Sequence, residues 1–470
     1  MCLHRSFPQG GFRFGRNRRW ISLRNRETVR KFTGGIMLKR NLWLLKTTLL
    51  IALPLAGCGQ TSSSGDNSET GSVDQSPVTV TLGFLPGWLT EEERKQYIID
   101  PVQQKYPWIT VEMKPYVKGS SLAELVTAGE TPDIIIETNI YGFSSWSDLG
   151  LIYPLTDLIK TNKMDLNRFE PEVLDAVKAA TQRSDLVAIP YTRHFSALYY
   201  NKNIFDKFGV PYPKDGMTWE QTYELGKRLT RQDSGVQYRG LEVNVIERMA
   251  SQLSLPYVDP KTNQALVNTD QWKKVLDFAT KVYQIPGNNQ IATYGKAAET
   301  MLNGTLAMYA SLNDIMGYKL YNSPDVWDMA TYPEWPEAPG LGTRVDAHAM
   351  GISPTSKNKD AAFKVIMAIT SDEIQMDMSR HGKYSVMKDP KFSSSFGADM
   401  DFMKNKHIEA IYKTKPAKTF IPTKYDSIAM SAMNAAVSKM VKNGVDLNTA
   451  LREAEESIIK QISERVAAGN

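Results

Sequence analysis

The residues of this chain that could do chemistry are aromatic and polar side chains in predicted loops. The sequence contains no G-x-S-x-G, H-E-x-x-H or P-loop pattern, and its five histidines are not grouped with cysteines as metal ligands would be. Its 9 tryptophans and 21 tyrosines offer flat apolar surfaces, although core packing explains most of them. Such rings, together with charged or amide side chains in a concave site, bind ligands rich in hydroxyl groups.

The first candidates follow predicted strands. VTVTLGF (78–84), ITVEMKPYV (109–117) and DIIIET (133–138) are predicted strands, and helices are predicted between them. This alternation predicts parallel pairs, whose carboxyl ends meet at the edge where open α/β sheets bind ligands. The candidates at this edge are Trp88, Glu137, Asn139 and Tyr141. The competing interpretations are an apolar contact with the next helix for Trp88 and a solvated turn for the other three.

A second group of candidates lies between or after later predicted strands. Arg193 and His194 separate VAIPY (187–191) from SALYYN (196–201), where a structural histidine is the competing interpretation. Ser311 and Asn313 follow a strand predicted at the end of AETMLNGTLAMYAS (298–311), after a helix that ends at Gly304. An adjacent arginine and polar donors could also bind a carboxylate, as in uronic acid sugars.

Helices must position these loops. Thr90 and Glu93 have the spacing of a capping box, and Gly129 ends the helix predicted in SLAELVTAG (121–129). The remaining predicted elements are helices at 219–229, 272–284 and 360–370, a strand at 347–354, and a C-terminal helix in which Leu447, Leu451, Ala454, Ile458 and Ile462 recur at helical spacing.

Length and charge restrict the class of protein. A chain of 470 residues predicts two domains or one large domain with insertions. Residues 1–57 hold 12 of the 56 Lys and Arg residues but one of the 51 Asp and Glu residues, so the remainder carries 44 basic and 50 acidic residues, a net of −6. The body is therefore acidic, which argues against a nucleic-acid partner.

The N-terminal region predicts export. From Met37 a basic segment, an apolar run from Leu49 to Leu55 and small residues follow one another as in a secretory signal, and the run is too short to span a membrane. We therefore expect translation to start at Met37, with residues 1–36 an over-extended start. Residues 58–77 are rich in Ser and Gly and predict a flexible linker.

One cysteine stands out within that region. The chain has two cysteines, Cys2 and Cys58, both before the predicted globular part, which leaves that part without a disulfide. LAGC (55–58) resembles the bacterial lipobox, in which the cysteine is diacylated and becomes the first residue of the mature protein. Two acyl chains on Cys58 would make a durable membrane anchor, whereas a buried core cysteine is the competing interpretation.

Four segments, in their order along the chain, resemble the extracellular solute-binding proteins of ABC importers, the family that includes maltose-binding protein. They are GETPDIIIETN, LVAIPYTRHFSALYYNKNIFDKFGV with TWEQTYELGKRL, MLNGTLAMYAS, and ISPTSKNKDAAFKVIMAITSDEIQ. The resemblance covers residues 78–470 and implies an α/β fold of two hinge-connected lobes, each with a mostly parallel sheet flanked by helices. It places lobe I at 78–192 and 350–387, lobe II at 193–349 and 388–470, and chain crossings near 191–195, 343–351 and 382–387.

The resemblance also refines the candidate site. The family places an acidic ligand contact at the position of His194, so the change to histidine argues against the same sugar. Members often have a stacking aromatic after the strand that ends at Ser311, and Trp335, held between prolines, is a candidate replacement or alternatively a surface-loop anchor. Three further candidates near the crossings are Asp346, His348 and Tyr384.

The function implied is capture of a carbohydrate, expected to be an oligosaccharide, between the lobes and its delivery to ABC permease subunits that work with a separate ATPase. The protein is expected to be a monomer at the outer face of the cell membrane, attached through its lipid anchor only, as in Gram-positive members of the family. No cofactor, metal or catalytic residue is expected. The alternatives are a secreted glycan-active enzyme that uses two carboxylates, and a binding ectodomain for a non-sugar solute or a sensor.

Overall fold

The computed structural model of the protein describes residues 76–140, 142–243, 246–291, 296–313 and 325–468. The predicted start at Met37, the signal, Cys58, nearly all of the linker and Tyr141 lie outside these residues. Among the described residues, none of the helices combines the length and the apolar composition needed to cross a bilayer.

The described strands form two main sheets and two short pairs. They are β1 (Val78–Phe84), β2 (Ile109–Pro115), β3 (Ile134–Thr138), β4 (Ala188–Arg193), β5 (Ser196–Asn201), β6 (Arg231–Asp233), β7 (Val236–Tyr238), β8 (Met308–Leu312), β9 (Trp327–Thr331), β10 (Leu341–Arg344), β11 (Ala347–Ile352) and β12 (Lys415–Ala417).

The described helices surround these sheets, and several begin at side-chain caps. They are α1 (Glu91–Arg94), α2 (Asp100–Lys105), α3 (Leu122–Ala128), α4 (Thr156–Thr161), α5 (Pro171–Thr181), α6 (Lys202–Phe208), α7 (Trp219–Leu229), α8 (Ile246–Gln252), α9 (Asp270–Tyr283), α10 (Lys296–Leu302), α11 (Lys359–Ile369), α12 (Asp372–Arg380), α13 (Pro390–Ser394), α14 (Ala410–Lys413), α15 (Asp426–Asn443) and α16 (Leu447–Ala467). The predicted capping box of Thr90 and Glu93 is confirmed at α1, and Gly129 ends α3 with a φ of 72°.

The first sheet has the strand order β2-β1-β3-β11-β4. As predicted, β1 pairs in parallel with both β2 and β3, whereas β11 is antiparallel to β3 and to β4. Ile134, Ile135 and Ile136 of β3 are fully buried in the hydrophobic core of the first sheet. Gly351 of β11 lies against the Trp146 ring, where a side chain would collide with the indole.

The second sheet has the order β8-β5-β9, and β5 is antiparallel to both neighbours. The predicted mostly parallel sheet is therefore wrong for lobe II. Two residues, His194 and Phe195, separate β4 from β5, so no helix lies between these strands. Both β8 and β9 run in the opposite direction to β5.

The described residues form three hydrophobic clusters, one at the first sheet and two that share the strands of the second sheet, and these clusters differ from the expected lobe boundaries. The core under the first sheet includes Val345, Ala347 and Phe392, all of which the resemblance had placed in lobe II. Residues 345–349 belong to lobe I because β11 fills the space between β3 and β4. Phe392 packs there because its carbonyl accepts a hydrogen bond of 2.5 Å from the Ser379 hydroxyl of α12.

Candidate functional site

The carboxyl edge of the first sheet faces the crossings. Trp88 follows β1, and β11 begins at the same edge, with His348 opposite Thr138 of β3 and Thr192 of β4. In lobe II, β8 ends at Leu312 opposite Ser196, the first residue of β5 after the crossing. Residues that follow β1 and β8 are therefore brought from the two lobes to one place.

Four predicted ligand residues meet there in a row that joins the lobes. The Trp88 ring lies 4.5 Å from the His348 ring between centroids, and the Nε2 atoms of His348 and His194 are 3.2 Å apart. His194 in turn forms a hydrogen bond through Nδ1 with Oδ1 of Asn313. We call Trp88, His348, His194 and Asn313 the interlobe row.

One hydrogen bond of the interlobe row has a definite direction. The Asn313 amide oxygen can only accept, so the His194 Nδ1–H donates to it. The Nε2 atoms of His194 and His348 face each other at hydrogen-bond distance. Burial, reinforced by His194 and Lys383, holds the pKa of His348 well below its ordinary value, which keeps this ring neutral.

His194 lies on the first crossing, between β4 and β5. Its main-chain N–H donates to the carbonyl of Asp346 on the second crossing at 2.7 Å, which ties two crossings together. His348 belongs to lobe I and Asn313 to lobe II, so any separation of the lobes must break one of the two side-chain contacts of His194. The row therefore depends on the relative position of the lobes.

Asn139 has a structural position. It is 1% exposed, its Nδ2 donates to the Val345 carbonyl at 3.0 Å, and its Oδ1 accepts from the Ala347 N–H at 2.6 Å. Both ends of the amide are thus occupied by the main chain of the second crossing. The expectation of a ligand contact is corrected accordingly, because no part of this side chain is left for a solute.

Glu137 lies on the other face of the sheet from the interlobe row. Successive residues of a strand point to opposite faces, and Thr138, not Glu137, is opposite His348. Burial raises the pKa of the Glu137 carboxyl to about 7. Gly142 makes room for this carboxyl, since a Cβ at that position would collide with it.

Arg193 and Tyr384 brace the crossings. The Arg193 guanidinium lies 4.4 Å from the centroid of the Tyr384 ring and 3.9 Å from the Glu170 carboxylate, and the Arg193 N–H donates to the Tyr384 carbonyl at 3.1 Å. These residues border a cavity of about 80 Å³ beside the third crossing. The guanidinium is thus engaged away from the interlobe row, which weakens the idea that it binds a carboxylate of the ligand.

Ser311 lies beneath the lobe II side of the site. It is fully buried, and its hydroxyl accepts a hydrogen bond of 2.5 Å from Nη1 of Arg248. Arg248, in the first turn of α8, was missed from the sequence because its position depends on a parallel bridge between Glu242 and Tyr309. No local pattern in the sequence predicts that pairing.

Trp335 is a core residue of lobe II, and its prediction as a ligand-stacking ring is wrong. It is 3% exposed, its indole N–H donates to the Met249 carbonyl at 3.1 Å, and it packs against Trp219 and Phe278. The ring therefore lies in the core of lobe II and not on a surface loop.

Two α/β lobes joined by three chain crossings, with candidate ligand residues between them, define the class of two-lobed binding proteins. Residues 87–376 match the sequence profile of the family described as "Bacterial extracellular solute-binding protein". That span is more than half of the chain, which therefore belongs to this family.

Relatives in the family carry names that refer to sugars or polyols. The multiple sugar-binding protein of Streptococcus mutans is 25% identical over 195 residues, which are 40% of this chain and 41% of that protein. The arabinooligosaccharide-binding protein of Bacillus subtilis is 24% identical over 253 residues, 52% of this chain and 54% of that protein. The mannitol-binding protein of Pseudomonas aeruginosa is 26% identical over 216 residues, 43% and 45% of the two chains. The chain thus spans about half the length of the curated relatives it matches.

Solved structures confirm the fold over a longer span. An ABC substrate-binding protein from Listeria monocytogenes, in complex with cycloalternan, matches with a TM-score of 0.65 at 18% identity and covers 82% of this chain and 99% of its own. The sugar-binding protein MalE from Xanthomonas citri matches with a TM-score of 0.64 at 18% identity, covering 83% and 99%. At this identity the likeness shows the two-lobed fold alone.

Proposed function

We propose that the protein captures a carbohydrate, expected to be an oligosaccharide, between its lobes and delivers it to the membrane permease of an ABC importer. The observation that carries this proposal is the interlobe row, in which Trp88 and His348 of lobe I and Asn313 of lobe II meet at His194 on the hinge. The names of the S. mutans and B. subtilis relatives support a saccharide ligand.

Each part of the row has a role in this proposal. The partly exposed Trp88 ring offers an apolar face to the C–H groups of a pyranose, and the His194 and Asn313 side chains offer hydrogen bonds to its hydroxyls. A ligand that touches both lobes gains all of these contacts only when the lobes are closed. It therefore stabilises the closed state by its difference in affinity for the two states.

The proposal also covers the setting of the protein. Cys58 would carry the lipid, the ATPase and permease would be separate chains, and the body would act as a monomer at the outer face of the membrane. The matched relatives are named as binding proteins, which supports a binder over a glycan-active enzyme. Sensing instead of transport is the second alternative, and neighbouring genes for two permeases would decide between them.

The test is thermal stability of residues 58–470, with Cys58→Ser, against a panel of mono- and oligosaccharides. A sugar at 100 times its dissociation constant should stabilise the protein by about 2.7 kcal/mol. Trp88→Ala should remove most of this response, whereas Trp108→Ala, which truncates another partly buried tryptophan of lobe I outside the row, should keep it. Stabilisation by peptides or metals but by none of the sugars would reject the carbohydrate ligand, and release of new reducing ends would favour the enzyme.

A further inference from the structure

The amino edge of the first sheet, opposite the interlobe row, gathers a group of lysines. Asn358 donates through Nδ2 to the Thr79 carbonyl at 3.1 Å, and Asn162 donates through Nδ2 to Asp360 at 3.2 Å, so the ends of β1, α4 and α11 meet there. A groove of about 460 Å³ runs between Val78, Trp108 and the start of α11. We call the lysines of this region the basic end of lobe I; they are Lys105, Lys160, Lys163, Lys357, Lys359 and Lys364.

Few of these charges are neutralised within the protein. Lys364 pairs with Asp360, and the Lys359 ammonium donates to the Ser356 carbonyl at 2.5 Å. Lys160, Lys163 and Lys357 are exposed and form no ion pair with any residue that the structure describes. The basic end therefore presents positive charge on a protein whose body, from residue 58 onwards, has a formal charge of −6.

Aromatic rings accompany the lysines. Tyr106 and Trp108 are partly exposed at this end and pack edge to face with centroids 5.6 Å apart. The Trp108 carbonyl accepts from the Val78 N–H at 2.9 Å, which holds the loop beside the first residue of β1. Lysine together with Trp and Tyr is the combination found where proteins meet the headgroup layer of a membrane.

The chain also enters the fold at this end. Ser76 borders the groove, and the predicted lipidation site Cys58 is 18 residues earlier in the sequence. Covalent geometry limits that stretch to about 60 Å, so a lipid on Cys58 would keep the basic end near the bilayer. Trp88 follows the far end of β1, about 20 Å away along the strand, so a protein lying on its basic end would present the interlobe row away from the lipid.

We propose that the basic end of lobe I binds the surface of an anionic phospholipid bilayer. This inference rests on the proposed lipid anchor and adds a contact of the folded body, where the sequence had predicted attachment through the lipid only. Each lysine near an anionic surface strengthens binding by a factor of about five. The anchor makes such weak contacts effective because it removes the cost of bringing the protein to the surface.

The test measures binding to vesicles without the anchor. Residues 58–470 with Cys58→Ser, which include every described residue, are floated at low ionic strength with vesicles of phosphatidylglycerol and phosphatidylcholine, or of phosphatidylcholine alone. The triple variant Lys160→Gln, Lys163→Gln, Lys357→Gln should bind the anionic vesicles on the order of 100-fold more weakly. A matched triple variant in lobe II, Lys418→Gln, Lys442→Gln, Lys460→Gln, removes three exposed lysines elsewhere and should stay within about twofold of the parent.

Three outcomes would overturn the inference. The first is that the protein binds both kinds of vesicle equally, and the second is that both triple variants weaken binding to anionic vesicles equally. The third is that soluble polyphosphate competes for the protein as effectively as anionic vesicles do, which would indicate a polymer-binding site. Urea midpoints of both variants check that they are folded. The sugar response does not depend on these lysines, so failure of the carbohydrate proposal would leave this test intact.

Discussion

Replacing Asn139 by Ala should destabilise lobe I without acting as the loss of a ligand contact. The substitution removes both side-chain hydrogen bonds that hold the second crossing, one to the Val345 carbonyl and one from the Ala347 N–H. Val345 is 4% exposed and Ala347 is fully buried, so water cannot easily replace the lost partners. The cost is then the full penalty of two unpaired buried groups.

Each unpaired buried group costs about 1–3 kcal/mol, so we expect Asn139→Ala to lower the free energy of unfolding by about 2–6 kcal/mol. Urea unfolding followed by tryptophan fluorescence measures this change, since Trp88, Trp108 and Trp146 of lobe I contribute to the signal together with the tryptophans of lobe II. The matched control is Asn162→Ala, whose side chain is only partly buried and caps the end of α4. Its lost bonds can be replaced by water, so its cost should stay near or below about 1 kcal/mol.

The competing interpretation makes the opposite prediction. If Asn139 contacts the ligand instead of the crossing, the alanine variant keeps the urea midpoint of the parent and loses affinity for the sugar that stabilises the parent. An unchanged midpoint would therefore refute the structural role of Asn139. A lowered midpoint with a sugar affinity close to that of the parent, measured well below the transition, would support it.

Three further predictions concern other parts of the structure. The pKa of Glu137 is raised from 4.5 to about 7, so the folded state holds this proton more tightly than the unfolded state. The free energy of unfolding should therefore fall by about 3 kcal/mol as the pH rises from 4.5 to 7. In urea unfolding, Glu137→Gln should be more stable than the parent at pH 8 but not at pH 4. Trp335→Ala should lower the free energy of unfolding by about 3–5 kcal/mol, and Trp88→Ala should lower it clearly less, because only the Trp335 ring lies fully within the core. Equal losses in urea unfolding would contradict the assignment of Trp335 to that core. Gly351→Ala should lower the free energy of unfolding in urea by about 1–3 kcal/mol or more, because the new methyl group would lie 3.0 Å from the Val187 carbonyl and against the buried Trp146 ring. A variant as stable as the parent would show that this contact can relax.

The sequence predicted those parts of the fold that local signals determine. The capping box at Thr90 and the glycine at the end of α3 act within a few residues, and both are confirmed. The parallel pairing of β1, β2 and β3 followed from the helices between them. The direction of β5 relative to β8 and β9 was missed, because these antiparallel pairs join distant parts of the chain and no pattern within a strand specifies the direction of its partner.

In the candidate site, too, local sequence position predicts some features, whereas contacts with distant parts of the chain decide others. The proximity of Trp88, His194 and Asn313 could be predicted because each follows a strand, and loops at strand ends converge. Their contact with a ligand stays a prediction. Sequence position cannot tell which partner an amide or an indole will meet. Asn139 and Trp335 also stand beside strands or in exposed-looking loops, yet the first bonds to a segment 206 residues away and the second to a carbonyl 86 residues away.

Several polar residues near the crossings have similar structural contacts in this fold. Asn139, Arg193 and Tyr384 all act at the crossings, where chain segments from different parts of the sequence need fixed relative positions and offer unpaired main-chain groups. A hinge that must bend at a few torsions requires rigid segments on either side of them. Asn139, Arg193 and Tyr384 fix the crossing segments relative to one another through these contacts, and a role for Arg193 and Tyr384 in ligand binding stays a prediction.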